Sequence, residues 1–326
     1  MRKTLLLTGI SLIMVSFRPM WGFFAHEKIN RLAIFTLPPA LIGFYKQNID
    51  FITDEAVSPD KRRYAVEEEA PRHYLDVDHY GDSTFTKLSH DWHQAVAAYG
   101  EDKLVAYGIL PWHIFQMYQR LRDAFMVKDP GRILRVSAEL GHYIADANVP
   151  LHTTQNYNGQ LTGQEGIHGL WESRLPELFS GGYDFFVGHA EYIDDPREAA
   201  WQAIVSSHQH VKTVLMEEKK LASRYEEKRY AFETRGNVTV KVFAPEYSRD
   251  YHRILGGMVE KQMRTSIKMI GDFWYTAWVD AGQPDLKLLI DYKPTEAELR
   301  NDRERLRLWK ENRHRVREHE EVSSDQ

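Results

Sequence analysis

Between Gly141 and Glu172 the chain reads GHYIADANVPLH and, after a short loop, HGLWE, which brings His142, Asp146, His152, His168 and Glu172 into one stretch. His142 with Asp146, and His168 with Glu172, are each four positions apart. On a helix that spacing projects both side chains from one face, so each pair can grip one ion with two donors. Pro150 does not fit inside the helix that carries Asp146; the chain is expected to leave helix near Asn148 and swing His152 back toward the same cavity. Imidazole and carboxylate donors without a thiol suit zinc, and suit manganese or iron less well.

The elements that must position these residues read as helices. From Trp21 the apolar residues repeat at helical spacing, with His26 near the start of the first helix and Pro38 and Pro39 separating it from the next. The following stretch is charged and turn-rich, with Asp60 in a Ser-Pro-Asp turn and His73 after Pro71, and such loops carry function more often than packing. Helical patterns resume over 86–107, run from Trp112 to about Met126, and return from Gly131 to Ala147 with the first His/Asp pair. A Gly-Gly turn at 181–182 precedes another helical region over 195–231, and NVTVKVFAP alternates as a small hairpin or extended connection would. One long amphipathic helix is expected from about Tyr247 to Ala281, with Trp274, Tyr275 and Trp278 in the core. Pro284 and Pro294 bracket a linker into a highly charged tail helix that opens with a capping box of Thr295 and Glu298. With neither a glycine-rich phosphate loop nor strand–helix alternation, the fold class is all-α: one large helical domain over 21–283 and a charged helical extension over 284–326.

At 326 residues, 43% hydrophobic and 12% aromatic, the chain can bury a sizeable core. A formal charge of -5 gives no reason to expect tight non-specific binding to a polyanion or an acidic membrane. The absence of cysteine removes disulfides, a lipobox anchor and thiolate metal sites, so any metal must be held by His, carboxylate or backbone groups. Residues 1–20 begin with two basic residues and an apolar run too short for a comfortable membrane span, the pattern of a signal peptide for secretion or export to a periplasm. Cleavage before Trp21 places Arg18 and Met20 where small residues are usual.

Trp21 followed closely by His26, then Asp60, His73, His142, Asp146, His152, His168 and Glu172, resembles the ligand series of the zinc-dependent phospholipase C / S1–P1 nuclease superfamily. A single His/Asp pair at helical spacing is weak, but nine positions in one order are specific. The resemblance covers residues 21–172 and implies an all-helical fold holding three zinc ions in a cleft. It implies that Asp60, His73, His142 and Asp146 hold one ion and that His152, His168 and Glu172 hold a second. The third would be held by the free amine and carbonyl of Trp21, by His26, and by Asp146 as a bridge to the first.

That resemblance implies hydrolysis of phosphodiesters by a zinc-bound hydroxide. A phosphodiester resists attack because its charge repels hydroxide and its leaving alkoxide is poor; clustered zinc ions address both. Asp60 and Asp146 are the expected catalytic carboxylates, Asp60 orienting the water or acting as base. Glu172 in place of aspartate and the short loop between His152 and His168 look like the phospholipase C branch; the close spacing of Trp21 and His26 looks like the single-strand nuclease branch. The substrate is thus a phospholipid head group or nucleic acid, transient contact with a membrane surface is compatible with either, and no obligate protein partner is implied. A non-catalytic helical binding protein with a structural zinc site is the reading from another class; it requires enclosed ions with no open position. Considered singly, His26 could be a packed or capping residue, Asp60 a helix cap, and His168 with Glu172 a surface pair. His90, His93, Asp76, Asp78 and His79 are weaker ligand candidates, and Trp112 and His113 read as core.

Overall fold

The computed structural model describes residues 23–81, 84–235, 238–290 and 292–311. The proposed signal peptide, the ligand Trp21 and the end of the charged tail lie outside the described residues. The described chain is mostly helical, as expected, with one small hairpin. In chain order the α-helices are α1 (Phe23–Ala33), α2 (Pro39–Gln47), α3 (Ile49–Glu55), α4 (Ser58–Arg62), α5 (Thr84–Lys87), α6 (Trp92–Tyr99), α7 (Glu101–Tyr107) and α8 (Leu110–Val127). There follow α9 (Pro130–Ala147), α10 (Ile167–Gly169), α11 (Leu175–Phe179), α12 (Pro196–Tyr225), α13 (Pro245–Ile254), α14 (Met258–Asp280) and α15 (Glu296–Glu311). Strands β1 (Tyr230–Arg235) and β2 (Val238–Phe243) pair antiparallel between α12 and α13, so the alternating run is one arm of a hairpin.

Helix α9 is the centre. Asp129 caps it by accepting from the Arg132 amide, and Pro130 occupies its first turn, where a missing N–H costs nothing. Fifteen of its 18 residues are buried, the pattern of a helix enclosed on all sides rather than laid on a surface. Helices α1, α3, α8 and α14 surround it. Tyr45 of α2 stacks on Trp274 of α14 at 4.9 Å, and the Trp274 indole donates to the Ser137 carbonyl of α9. Trp274 and Trp278 are buried and Tyr275 is half-buried, as the sequence suggests.

Two expected helices are divided. The 86–107 region is three pieces, because Gly100 takes a positive φ of 81° between α6 and α7 and Asp91 starts α6 afresh as its cap. The helix expected from Tyr247 to Ala281 breaks at Gly256 and Gly257, with φ of 59° and 83°, conformations that end a helix cheaply only at glycine. The capping box holds: the Glu298 amide donates to Thr295 Oγ1 at 3.2 Å, and the Thr295 amide donates to Glu298 Oε2 at 2.8 Å. Helix α15 rests against α4.

A close approach fixes α1 against α9. Asn30 donates from Nδ2 to the Ala138 carbonyl at 2.9 Å, and a Cβ added at Gly141 would lie 2.1 Å from Asn30 Oδ1. Gly141→Ala therefore displaces the buried Asn30 side chain and its hydrogen bond to Ala138, and is expected to destabilise the protein by about 1–3 kcal/mol. Gly181→Ala, where a Cβ meets nothing within 4 Å, is expected to change stability by less than about 0.5 kcal/mol. Urea unfolding of the two variants checks this, and equal midpoints would contradict the packing argument.

Candidate metal centre

Eight of the nine residues in the sequence series lie within the described chain, and all eight converge. His26 comes from the first turn of α1, Asp60 from α4, His73 from the end of a 3-10 turn over Glu67–His73, and His142 and Asp146 from α9. The Asn148 side chain caps the end of α9 by donating to the Ile144 carbonyl at 2.8 Å, and the chain then turns through a 3-10 segment, Pro150–Thr153, that carries His152. His168 and Glu172 follow in a continuous helical stretch. There the expected α-helix is a single α-turn running into a π-helical turn, Leu170–Arg174, and His168 Nε2 still reaches Glu172 Oε2 at 2.6 Å. Wide turns of this kind recur at functional sites, where they redirect a side chain. Asp60, expected in a turn, sits in a short helix and is buried.

The donors form three groups, each with ligand atoms within 4.8 Å of one another: Asp60, His73 and His142; His152, His168 and Glu172; and His26, His142 and Asp146. Asp146 joins them. Its Oδ2 lies 2.9 Å from His73 Nδ1 and 3.3 Å from His142 Nε2, while Oδ1 lies 3.4 Å from His26 Nε2 and 3.8 Å from His152 Nε2. Glu172 also faces two ways, with Oε1 at 3.2 Å from His26 Nε2 and Oε2 at 3.3 Å from His152 Nε2. Asp60 Oδ1 stands farther back, 3.9 Å from both His73 Nδ1 and His142 Nε2.

The tautomers decide what this arrangement wants. His142 Nδ1–H donates to the Ala56 carbonyl at 2.8 Å, so its Nε2 presents a lone pair. His73 Nε2 faces Glu69 Oε1 at 3.6 Å, and its Nδ1, which faces His142 Nε2, lies 2.9 Å from Asp146 Oδ2, so both ring nitrogens have a carboxylate beside them. Those two facing nitrogens are 3.0 Å apart, with the Asp146 carboxylate against both. Carboxylates buried this close need positive charge among them, supplied by protons on His26 and His73 or by a bound cation. His152 repeats the pattern, donating from Nδ1 to the His73 carbonyl and turning Nε2 toward Glu172 and Asp146. The residues therefore fit a metal ion, and their nitrogen and carboxylate donors fit zinc.

Protonation follows the same logic. Burial opposes a charge on His26, but the carboxylates of Glu172 and Asp146 outweigh it and raise its pKa to about 9. For His73, burial is likewise overcome by Asp146 and Glu69, and its pKa rises; for His142 burial prevails and its pKa falls. Burial pushes the carboxyls of Asp146 and Glu172 up, yet the surrounding imidazoles hold both well below the usual carboxylate range.

Sequence reasoning missed the support behind His73. Glu69 is fully buried and accepts from Arg62 Nε at 2.9 Å, from Arg72 Nη1 at 2.5 Å and from the Tyr143 hydroxyl. Arg62 also reaches Glu139 Oε1 of α9 at 2.7 Å. The signal was present as an acid four residues before a histidine, hidden in a run of three glutamates. The weaker candidates do not join the cluster. His90 pairs with Glu198 at 3.0 Å, Asp78 accepts from Thr154 Oγ1 at 2.6 Å, and His79 stacks on Tyr107. Trp112 and His113 are buried, as expected.

No family model matches this chain, and no curated protein does.

In metal-free protein His26 has a folded-state pKa of about 9 against an ordinary value of 6.5. A raised pKa contributes stability that is complete below the unfolded value and is lost as pH rises through the folded one. Chelator-treated protein is therefore expected to lose on the order of 3 kcal/mol between roughly pH 6.5 and 9 through His26, a slope that becomes shallower in His26→Ala, with the remainder carried by His73, whose pKa is also raised. Denaturant melts across that window check it, and a slope unchanged in His26→Ala would contradict the assignment.

Proposed function

We propose that this chain is a zinc-dependent hydrolase of phosphodiesters of the phospholipase C / S1–P1 nuclease type, exported through its N-terminal segment and closer to phospholipase C. The observation that carries the reading is the convergence of His26, Asp60, His73, His142, Asp146, His152, His168 and Glu172, spread over most of the first half of the chain, into adjoining donor groups. Chance produces one His/Asp pair on a helix readily; it does not bring eight separated donors together in the order of the ligand series.

Bound zinc would supply a water activated near neutral pH and positive charge for the phosphate and the leaving oxygen. The chain's own residues do the rest. Asp146 faces one histidine pair with each carboxylate oxygen and so would be the carboxylate shared between two of the three sites. Glu172 links His26 with His152 and His168. Asp60 keeps the most exposed side chain of the set, 13%, and stands back from the histidines, so it is the carboxylate able to orient the attacking water and receive its proton. Trp21 would complete the third site with its amine and carbonyl once residues 1–20 are removed. The phospholipase C preference rests on Glu172 and the short loop before His168, and the nuclease reading on the Trp21–His26 spacing.

Mature protein with a sequenced N-terminus is expected to carry about three zinc ions by elemental analysis. It should hydrolyse a phosphatidylcholine in preference to single-stranded DNA and lose activity to a chelator. Asp146→Asn is expected to lose zinc and activity together, and Asp60→Asn to retain most zinc while losing about 10²-fold or more in turnover. Preference for the nucleic acid would move the chain to the nuclease branch, and activity that survives chelation would overturn the proposal.

A further inference from the structure

A second concavity lies apart from the metal cluster. It is a cleft of about 450 Å³ lined by Arg72, Arg197, Asp91, Glu101, three aromatic residues, three histidines and two glutamines, none of them a member of the donor groups. That volume falls within the range of small-molecule sites, about 300–1,000 Å³. One wall is a single face of α8, where Trp112, Phe115, Gln116 and Gln119 follow one another at helical spacing. The half-buried Trp92, at the start of α6, meets Trp112 edge-on at 5.5 Å.

The charges in the cleft are already matched. Arg72 is bonded to Glu69 at 2.5 Å; Arg197 lies 3.6 Å from Asp91 and holds its guanidinium 4.6 Å from the centre of the Phe115 ring. With two arginines against two carboxylates in the lining, neither an anion nor a cation gains a net attraction. A phosphate, which is negatively charged, would face the carboxylates of Asp91 and Glu101 with both arginines already paired. What remains unpaired is neutral and of both polarities. Gln116 and Gln119 make no side-chain hydrogen bond among the described residues, and His113 is buried with no partner at Nε2. Burial holds His113 neutral, its pKa pushed down to about 3, so its ring offers one donor and one acceptor.

A hydroxyl group, donor and acceptor at once, satisfies amides, a neutral imidazole, carboxylates and guanidinium groups alike, and the C–H face of a sugar ring covers an aromatic side chain. We infer that this cleft is a binding site for a neutral carbohydrate of one or two rings, seated against Trp92 and hydrogen-bonded by Gln116 and Gln119, with the neutral His113 and Trp112 behind them. The site does not depend on the metal chemistry, although Arg72 in its lining bonds Glu69, which faces His73 behind it.

Saturation-transfer NMR on the full chain tests it, with glucose, N-acetylglucosamine, maltose and cellobiose as probes, and with AMP and inorganic phosphate as competitors. At least one saccharide is expected to bind, with affinity reduced roughly tenfold in Trp92→Ala and in Gln119→Ala. The second variant changes only a half-buried glutamine, so it guards against a folding defect in the first; a thermal melt of each confirms the fold. Neither AMP nor phosphate should displace the sugar. Failure of all four saccharides to give a signal sensitive to either folded variant would overturn the inference. So would displacement by AMP or phosphate, which would make this an anion site.

Discussion

The arrangement of this protein depends on the cost of burying like charge. Asp60, Asp146 and Glu172 lie together under five histidines, and every one of these side chains is at most 13% exposed. Carboxylates this close repel one another where water cannot screen them, and the compensating charge comes from the histidines among them, with His26 and His73 drawn toward protonation, or from a bound cation. They are held there by α9, whose enclosure by four helices leaves His142 and Asp146 no other direction, and by α1, seated against it through Asn30 and Gly141. The helical scaffold maintains donor groups that could hold a cation.

A second layer sets how the donors point. The Ala56 carbonyl fixes the ring of His142, the His73 carbonyl fixes that of His152, and Glu69 faces the outer nitrogen of His73. For His142 and His152 the proton is drawn to the outer nitrogen and the lone pair turned inward, which is what a metal ligand requires. Glu69 is anchored by Arg62, Arg72 and Tyr143, so the orientation of one ligand is tied to a buried network reaching α4, α9 and the edge of the second cleft.

Much of the donor set was legible because its geometry is local. Four-residue spacing places His142 with Asp146 on one helix face, and Asn148 with Pro150 ends that helix where His152 needs to turn back. His168 and Glu172 meet as expected even though the chain widens into a π-turn between them, a change that no local signal announces. The fold class was legible for the same reason, from helical periodicity. What escaped the sequence depends on contacts between distant segments: Glu69, Arg62 and the Ala56 carbonyl acquire their roles only when α3, α4 and the following 3-10 turn pack against α9. The breaks at Gly100 and at Gly256–Gly257 were written in the sequence as glycines, but amphipathic periodicity continues across them and masks the interruption. The one-sided row of Trp112, Phe115, Gln116 and Gln119 reads as ordinary core packing until the cleft beside it is seen.

Zinc K-edge X-ray absorption on the zinc-loaded mature protein tests the central claim most directly, because it reports what surrounds the ion whatever the substrate. The account predicts a shell of nitrogen and oxygen only, at about 2.0–2.2 Å, with imidazole scattering and a metal–metal contribution from ions bridged by Asp146. A shell of water oxygens without imidazole scattering, or isolated ions whose spectrum is unchanged by Asp146→Asn, would show that the buried donors do not hold metal and would remove the basis of the proposed chemistry.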